Sequence, residues 1–225
     1  MEKISLFPTN IYRTRIDPYL WDKEKFVRQS IESYNIDPNR HARNMPDSEF
    51  HTTYRDWEND KFNRIDCNVV KDVYSKVILE FINSLRLKRS VEYKWNLINI
   101  SIGKDNWYDW HYHGDPYDKD NYKNEYVMVH YINFDNTVHR PTSFKNPLLH
   151  SIYENNMTMR SLLENCEENS SYFGTWELDT NEDDVIFFPS YIFHGVRKKG
   201  SNTEKFRIIT STHIDLKYND EEKIG

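Results

Sequence analysis

The 225 residues include 30 lysines and arginines against 36 aspartates and glutamates, a formal charge of -6. That balance creates no field to attract a polyanion, which argues against nucleic acid as a partner. Apolar residues make up a modest 37%, but 15% of the chain is aromatic, and large rings bury much area from few positions.

The length suits one domain spanning 1–225 with one core rich in Tyr, Phe and Trp. Cys67 and Cys166 form no CxxC pair and no disulfide framework, and fit a reducing interior. No stretch reaches the roughly 18 apolar residues of a membrane span, and Met1-Glu-Lys-Ile-Ser-Leu-Phe-Pro lacks a signal-peptide core. A soluble, cytoplasmic protein is expected.

In chain order, residues 4–16 read as an extended edge strand, with Pro8 arguing against a helix at its start. A helix is expected over 20–34, where Leu20, Trp21, Phe26, Val27, Ile31 and Tyr34 recur at helical spacing among charged residues. Residues 35–60, with Pro38 and Pro46, read as a long loop carrying one short element around Tyr54 and Trp57. The clearest helix is 69–85: Val69, Val70, Val73, Val77, Ile78, Phe81, Ile82 and Leu85 form one stripe, with Lys71, Asp72, Lys76 and Glu80 turned away. From 91 onward the pattern changes to alternation and β-branched or aromatic runs, predicting strands over 93–101, 126–134, 172–178, 184–188 and 206–215.

Helices followed by many strands place the chain in the α+β class, mainly β, as an antiparallel sandwich or jelly roll over 91–215 supported by 1–90. Residues 135–171 are polar, with a short helix expected near 157–164, and read as an insertion suited to a lid.

The chemistry concentrates in three places. His111 and His113 lie in Trp107-Tyr-Asp-Trp-His-Tyr-His-Gly-Asp115. In extended backbone, positions i and i+2 share a face, so both imidazoles can reach one ion and Asp115 can join them. Such ligands suit a divalent transition metal; the alternative is a pair of surface or hydrogen-bonded histidines. His194 follows the apolar run Val185-Ile-Phe-Phe-Pro-Ser-Tyr-Ile-Phe, with Gly195 allowing close backbone approach. It is either a satisfied core histidine or a ligand. Arg207 opens the β-branched strand thirteen positions later. A guanidinium pointing inward there calls for a carboxylate; otherwise it lies exposed at a strand end or pairs with an acidic side chain such as Glu204.

Together these elements resemble the Fe(II)/2-oxoglutarate-dependent oxygenases, more closely the HxH-containing members common in bacteria and tailed phages. The resemblance rests on the Leu6-Phe-Pro-Thr-x-x-Tyr12 start, a Trp95 to Asn99 strand one residue longer than the family's, the HxH pair, Pro189-Ser190 followed by His194-Gly-Val, and the arginine strand. It spans nearly the whole chain. It implies a double-stranded β-helix (jelly roll), iron held by His111 and His194, and Arg207 on the distal carboxylate of 2-oxoglutarate. It also implies a dioxygenase that hydroxylates a small molecule or a protein side chain while releasing succinate and CO2.

The third ligand is His113, as in the closer relatives, or Asp115 in a shifted register with His113 and His194. In the first case Asp115 would orient a histidine ligand. Tyr131 is a further candidate for the cosubstrate carboxylate, and Asn99 and Trp110 for the lining of the site. His41, His51, His130, His139, His150 and His213 have no matching partners and read as structural or exposed. Two other functions use the same residues: a non-catalytic jelly-roll binding or structural protein, and a cupin-like three-histidine metal dioxygenase independent of 2-oxoglutarate. The long stretches 35–60 and 135–171 are where specificity is expected.

Overall fold

The computed structural model describes residues 1–6, 9–38, 51–53, 65–88, 90–104, 107–113, 123–146, 175–197, 199–200 and 203–218. The segment read as one edge strand is two, β1 (Glu2–Leu6) and β2 (Thr9–Arg15), paired antiparallel from Glu2 with Arg13 to Leu6 with Thr9. Only β1 lies at the edge. β1 ends at Leu6 and β2 begins at Thr9.

Asp17 and Asp22 set the start of the first helix. The Asp17 carboxylate accepts from the Tyr19 amide and caps a 3-10 turn over Pro18–Leu20; Asp22 accepts from the Lys25 amide and opens α1 (Lys23–Ile36). Leu20, expected on the buried stripe, is therefore in the turn and exposed. The second helix, α2 (Asn68–Ser84), matches its expected span within a residue and buries Val70, Val73, Tyr74, Ile78, Phe81 and Ile82.

The remaining strands are β3 (His51–Thr52), β4 (Val91–Gly103), β5 (Tyr108–His111), β6 (Lys123–Asn133), β7 (Ser143–Lys145), β8 (Thr175–Glu177), β9 (Asp184–Pro189), β10 (His194–Val196) and β11 (Arg207–Tyr218). β3 falls inside the stretch read as a long loop, and β7 inside the stretch read as an insertion. The elements expected around Tyr54 and Trp57 and over 157–164 lie outside the described residues. Among the described residues every strand pairing is antiparallel. They form a seven-stranded sheet, β1-β2-β9-β6-β11-β4-β3, and a four-stranded sheet, β5-β10-β7-β8.

Period-two alternation divides the core between the two faces of the large sheet. Met128 and Ile132 of β6, Val185 and Phe187 of β9, and Ile208, Ile214 and Leu216 of β11 pack with both helices. Phe81 stacks on Phe187 there, with ring centroids 4.2 Å apart. Val127, Val129 and Tyr131, Ile186 and Phe188, and Ile209 turn the other way, toward Phe144 and Trp176 of the small sheet. Arg207, Ser211 and His213 share the parity of Ile209, so β11 presents them toward the small sheet. Among the described residues no helix is long and apolar enough to cross a membrane.

Candidate metal centre

β5 and β10 carry two of the three singled-out histidines and pair with His111 directly across from His194. The register then slips: Val196 stands opposite Tyr108, so β5 has one residue more than β10. This β-bulge explains why both Tyr108 and His111, an odd number of positions apart, line the same cavity. Gly195 makes it possible, because a Cβ there would lie 2.9 Å from the Tyr108 carbonyl oxygen and 3.3 Å from the Asp109 carbonyl. His113 follows the strand; its backbone N–H donates to the Ser190 carbonyl (2.9 Å) in the turn after Pro189. The Phe-Pro-Ser turn thus anchors one histidine while leading to another.

The three imidazoles form a cluster able to hold a metal ion, with one ring nitrogen from each lying within 4.8 Å of the others. Ring centroids are 4.3 Å apart for His111 and His194, 5.0 Å for His111 and His113, and 5.1 Å for His113 and His194. Hydrogen bonds assign the tautomers. Nδ1 of His111 lies 2.9 Å from the Asp109 carbonyl oxygen, and Nδ1 of His194 lies 2.8 Å from that of Ile192. A carbonyl only accepts, so both Nδ1 atoms carry the proton and both Nε2 atoms keep a lone pair. Nδ1 of His113 lies 3.0 Å from Nε2 of His213.

Burial, reinforced by the neighbouring imidazoles, holds the site neutral. Desolvation and the proximity of His111 push His194 down to about 3. Desolvation followed by His194, His213 and His111 drives His113 further down, and desolvation also lowers His111 and brings His213 to about 4. Near neutral pH the cluster is a set of uncharged imidazoles, the form in which histidine ligates metals.

The cavity beside the cluster is about 70 Å³ and is lined by His111, His113, His194, Trp107, Tyr108, Asn99, Ser101, Val127, Val129, Thr142, Ile209, Ser211 and Arg207, with Gly195 and Val196. Arg207 is 2% exposed. Its Nε donates to the Arg140 carbonyl (3.2 Å), and the Tyr131 and Phe134 rings each lie 5.9 Å from its Cζ. Its Nη2 is buried without a hydrogen-bond partner. Among the described residues no carboxylate pairs with it; Glu204, the acidic neighbour considered from sequence, pairs with Lys104 instead. Burial pushes the guanidinium down to about 10, a buried cation without an anion.

The other singled-out residues divide. Asn99 lines the cavity, held by Thr52 on its Oδ1 and by its Nδ2 donating to Ser101 Oγ (2.9 Å). Tyr131 is buried beside Arg207 but is not part of the lining. Its hydroxyl donates to Thr142 Oγ1 (2.8 Å) and accepts from the Thr142 amide (3.0 Å), so it is Thr142 that reaches the cavity. Trp110 is not part of the lining either: one position from His111 on a strand, it turns to the outer face, where Lys145 Nζ sits 4.5 Å from its ring and 5.0 Å from that of Phe193. Asp115 lies outside the described residues, as do His41 and His150.

His51, His130 and His139 are occupied in hydrogen bonds elsewhere. His213, read from sequence as structural or exposed, lies against His113 beside this cluster. Its signal was the even spacing from Arg207 along one strand, at 207, 209, 211 and 213.

No protein-family model matches the chain, and no curated protein matches it. Among solved structures the chain is similar to a prolyl-4-hydroxylase from Pseudomonas putida, at 9% identity and a TM-score of 0.48, covering 93% of this chain and 92% of that one. It is similar also to HygX from Streptomyces hygroscopicus with nickel and 2-oxoglutarate bound (14% identity, TM-score 0.47, covering 92% and 82%). A third is the viral collagen prolyl hydroxylase of Paramecium Bursaria Chlorella virus-1 in its 2OG complex (13%, 0.46, covering 91% and 95%).

Proposed function

We propose that the chain is an Fe(II)- and 2-oxoglutarate-dependent dioxygenase, a single jelly-roll domain that hydroxylates a small molecule or a protein side chain in the cytoplasm. One observation carries the reading: three converging neutral imidazoles share a cavity with a fully buried guanidinium whose Nη2 has no partner. 2-Oxoglutarate is complementary to both ends. Its keto-acid end chelates a metal, and its far carboxylate matches the guanidinium. Val127, Val129 and Ile209 offer apolar wall for the methylenes between.

His111, His113 and His194 would hold the metal through Nε2. Bound there, Fe(II) would supply O2 activation, with O2 as the oxidant: one oxygen atom would enter the C–H bond and the other the succinate formed from 2-oxoglutarate as CO2 is released. The protein's share is binding and orientation. Arg207 fixes the cosubstrate at one end, Thr142 supplies a polar group at the wall, and the aromatic lining from Trp107 and Tyr108 limits water.

Thermal shift tests the reading: Mn(II) should raise the melting temperature, and 2-oxoglutarate should raise it further only when Mn(II) is present. His194→Ala should remove both responses. Succinate formed with Fe(II), ascorbate and O2 should exceed that of His194→Ala; its failure to do so across candidate substrates would overturn the catalytic reading.

The all-imidazole set among the described residues also favours a second reading, a cupin-like three-histidine dioxygenase that needs no 2-oxoglutarate. O2 consumption independent of 2-oxoglutarate would select it. A non-catalytic jelly-roll protein would take up no metal.

A further inference from the structure

We propose that His213 is a positioning residue for the metal centre: by accepting a hydrogen bond from Nδ1 of His113, it fixes that histidine in its ligating tautomer. The inference rests on the metal reading above and concerns the one histidine of the three whose tautomer no carbonyl dictates. His111 and His194 donate Nδ1–H to backbone carbonyls and have no choice. Between His113 Nδ1 and His213 Nε2, 3.0 Å apart, one proton is shared and either ring can own it.

Only one assignment suits ligation. If His213 donates, the neutral His113 carries its proton on Nε2 and has no lone pair for an ion. If His213 accepts, the proton sits on His113 Nδ1 and Nε2 is open. His213 then does for His113 what the Asp109 and Ile192 carbonyls do for the other two, orienting the ring and raising its basicity.

The fold places it there for a definite reason. The register shifts in β11's pairing put their extra residues on β4 and β6, so β11 itself keeps its alternation and brings positions 207 and 213 to one face. The ring of His213 meets that of His113 nearly edge-on, with centroids 4.7 Å apart and planes at 79°. Among the described residues the backbone support for His113 comes from the Ser190 carbonyl on its N–H, which locates the residue but does not orient its ring. One strand thus supplies both the cosubstrate cation and the group that aligns a ligand.

Two measurements test this. In metal-free protein with 15N-labelled histidine, long-range 1H–15N correlation at neutral pH should show His113 as the Nδ1–H tautomer, and as a mixture in His213→Leu. Mn(II) affinity, read from the free-ion EPR signal, should fall about 10- to 100-fold in His213→Leu and return to within about threefold of wild type in His213→Gln, whose amide oxygen can accept near the position of Nε2. A wild-type His113 protonated on Nε2 would overturn the proposal. So would a His213→Leu protein that binds Mn(II) like wild type, or a His213→Gln protein as weak as His213→Leu, since both reduce His213 to a space-filling role. If the tautomer is as expected but wild type binds no Mn(II), it is the metal reading that falls, and the positioning role with it.

Discussion

Replacing Arg207 by methionine is expected to make the ligand-free protein more stable while abolishing its response to 2-oxoglutarate. The guanidinium is 2% exposed, makes one hydrogen bond among the described residues and is pushed down to about 10 by burial. At about 1.4 kcal/mol per pKa unit, that depression corresponds to roughly 3 kcal/mol against the charged form. Arginine is charged at pH 7 whether folded or not, so the penalty applies in full. Methionine fills much of the same space without charge. It leaves the Arg140 carbonyl without its donor, a cost of about 1 kcal/mol, and gives up some contact with Tyr131 and Phe134. The net expectation is a gain of about 1–2 kcal/mol, measured by urea denaturation followed through tryptophan fluorescence without ligands. With Mn(II) present, 2-oxoglutarate at about a hundredfold its dissociation constant should add about 2.7 kcal/mol to wild type and nothing to the variant. If ligand-free Arg207→Met were instead less stable by more than about 1 kcal/mol, the guanidinium would have to be compensated within the protein, and the argument for an anionic ligand would lose its basis.

Gly195→Ala puts a Cβ 2.9 Å from the Tyr108 carbonyl oxygen; the overpacking should cost about 1–3 kcal/mol in urea denaturation. Mn(II) affinity should drop with it, because the displaced strand carries the Asp109 carbonyl that orients His111, and unchanged values of both would contradict the bulge argument. His130 is fully buried and lowered by desolvation to about 3. Wild-type stability should therefore fall as pH drops from about 6.5, where the unfolded form begins to bind the proton, toward 3, with this residue contributing up to about 1.4 kcal/mol per pH unit. His130→Asn, which keeps an amide toward the Tyr74 hydroxyl, should show that much shallower a slope. Tyr74→Phe removes the hydroxyl that joins His130 Nδ1 (2.9 Å) and Thr210 Oγ1 (2.5 Å), and should cost about 1–3 kcal/mol. Mn(II) affinity should stay unchanged in that variant, since the network faces the helices.

What could be read from the sequence tracks how local its cause is. The stripe from Val70 to Ile82 determines α2 because the helix buries that one face. His194 and Arg207 stood out because apolar strands surround them, and a polar group there must be answered by something. β3 and β7, at two and three residues, are too short for alternation to register, and both were absorbed into expected loops. The pairing that brings His111 opposite His194 joins residues 83 positions apart and has no local signature. The bulge in β5 was equally hidden. Ordinary alternation would give Tyr108 and His111 opposite faces, and only the slipped register opposite Gly195 puts both in the cavity. Trp110, considered with its aromatic neighbours as lining for the site, is next to His111 on β5 and is absent from the cavity lining, its ring meeting Lys145 instead.

The charges of the site explain why its parts belong together. Three neutral imidazoles leave the charge of a divalent ion uncompensated, and Arg207 adds a further cation in the same desolvated cavity. Among the described residues no carboxylate lines that cavity to offset them. Each cation alone is unfavourable there, and the two repel each other. A ligand with a negative charge at each end answers both, with one carboxylate at the metal and the other at the guanidinium. It gains more from the pair than from either cation separately. In the proposed reading, a ligand set of the three described imidazoles would make the dianionic cosubstrate part of what holds the metal, a role a protein carboxylate would otherwise share.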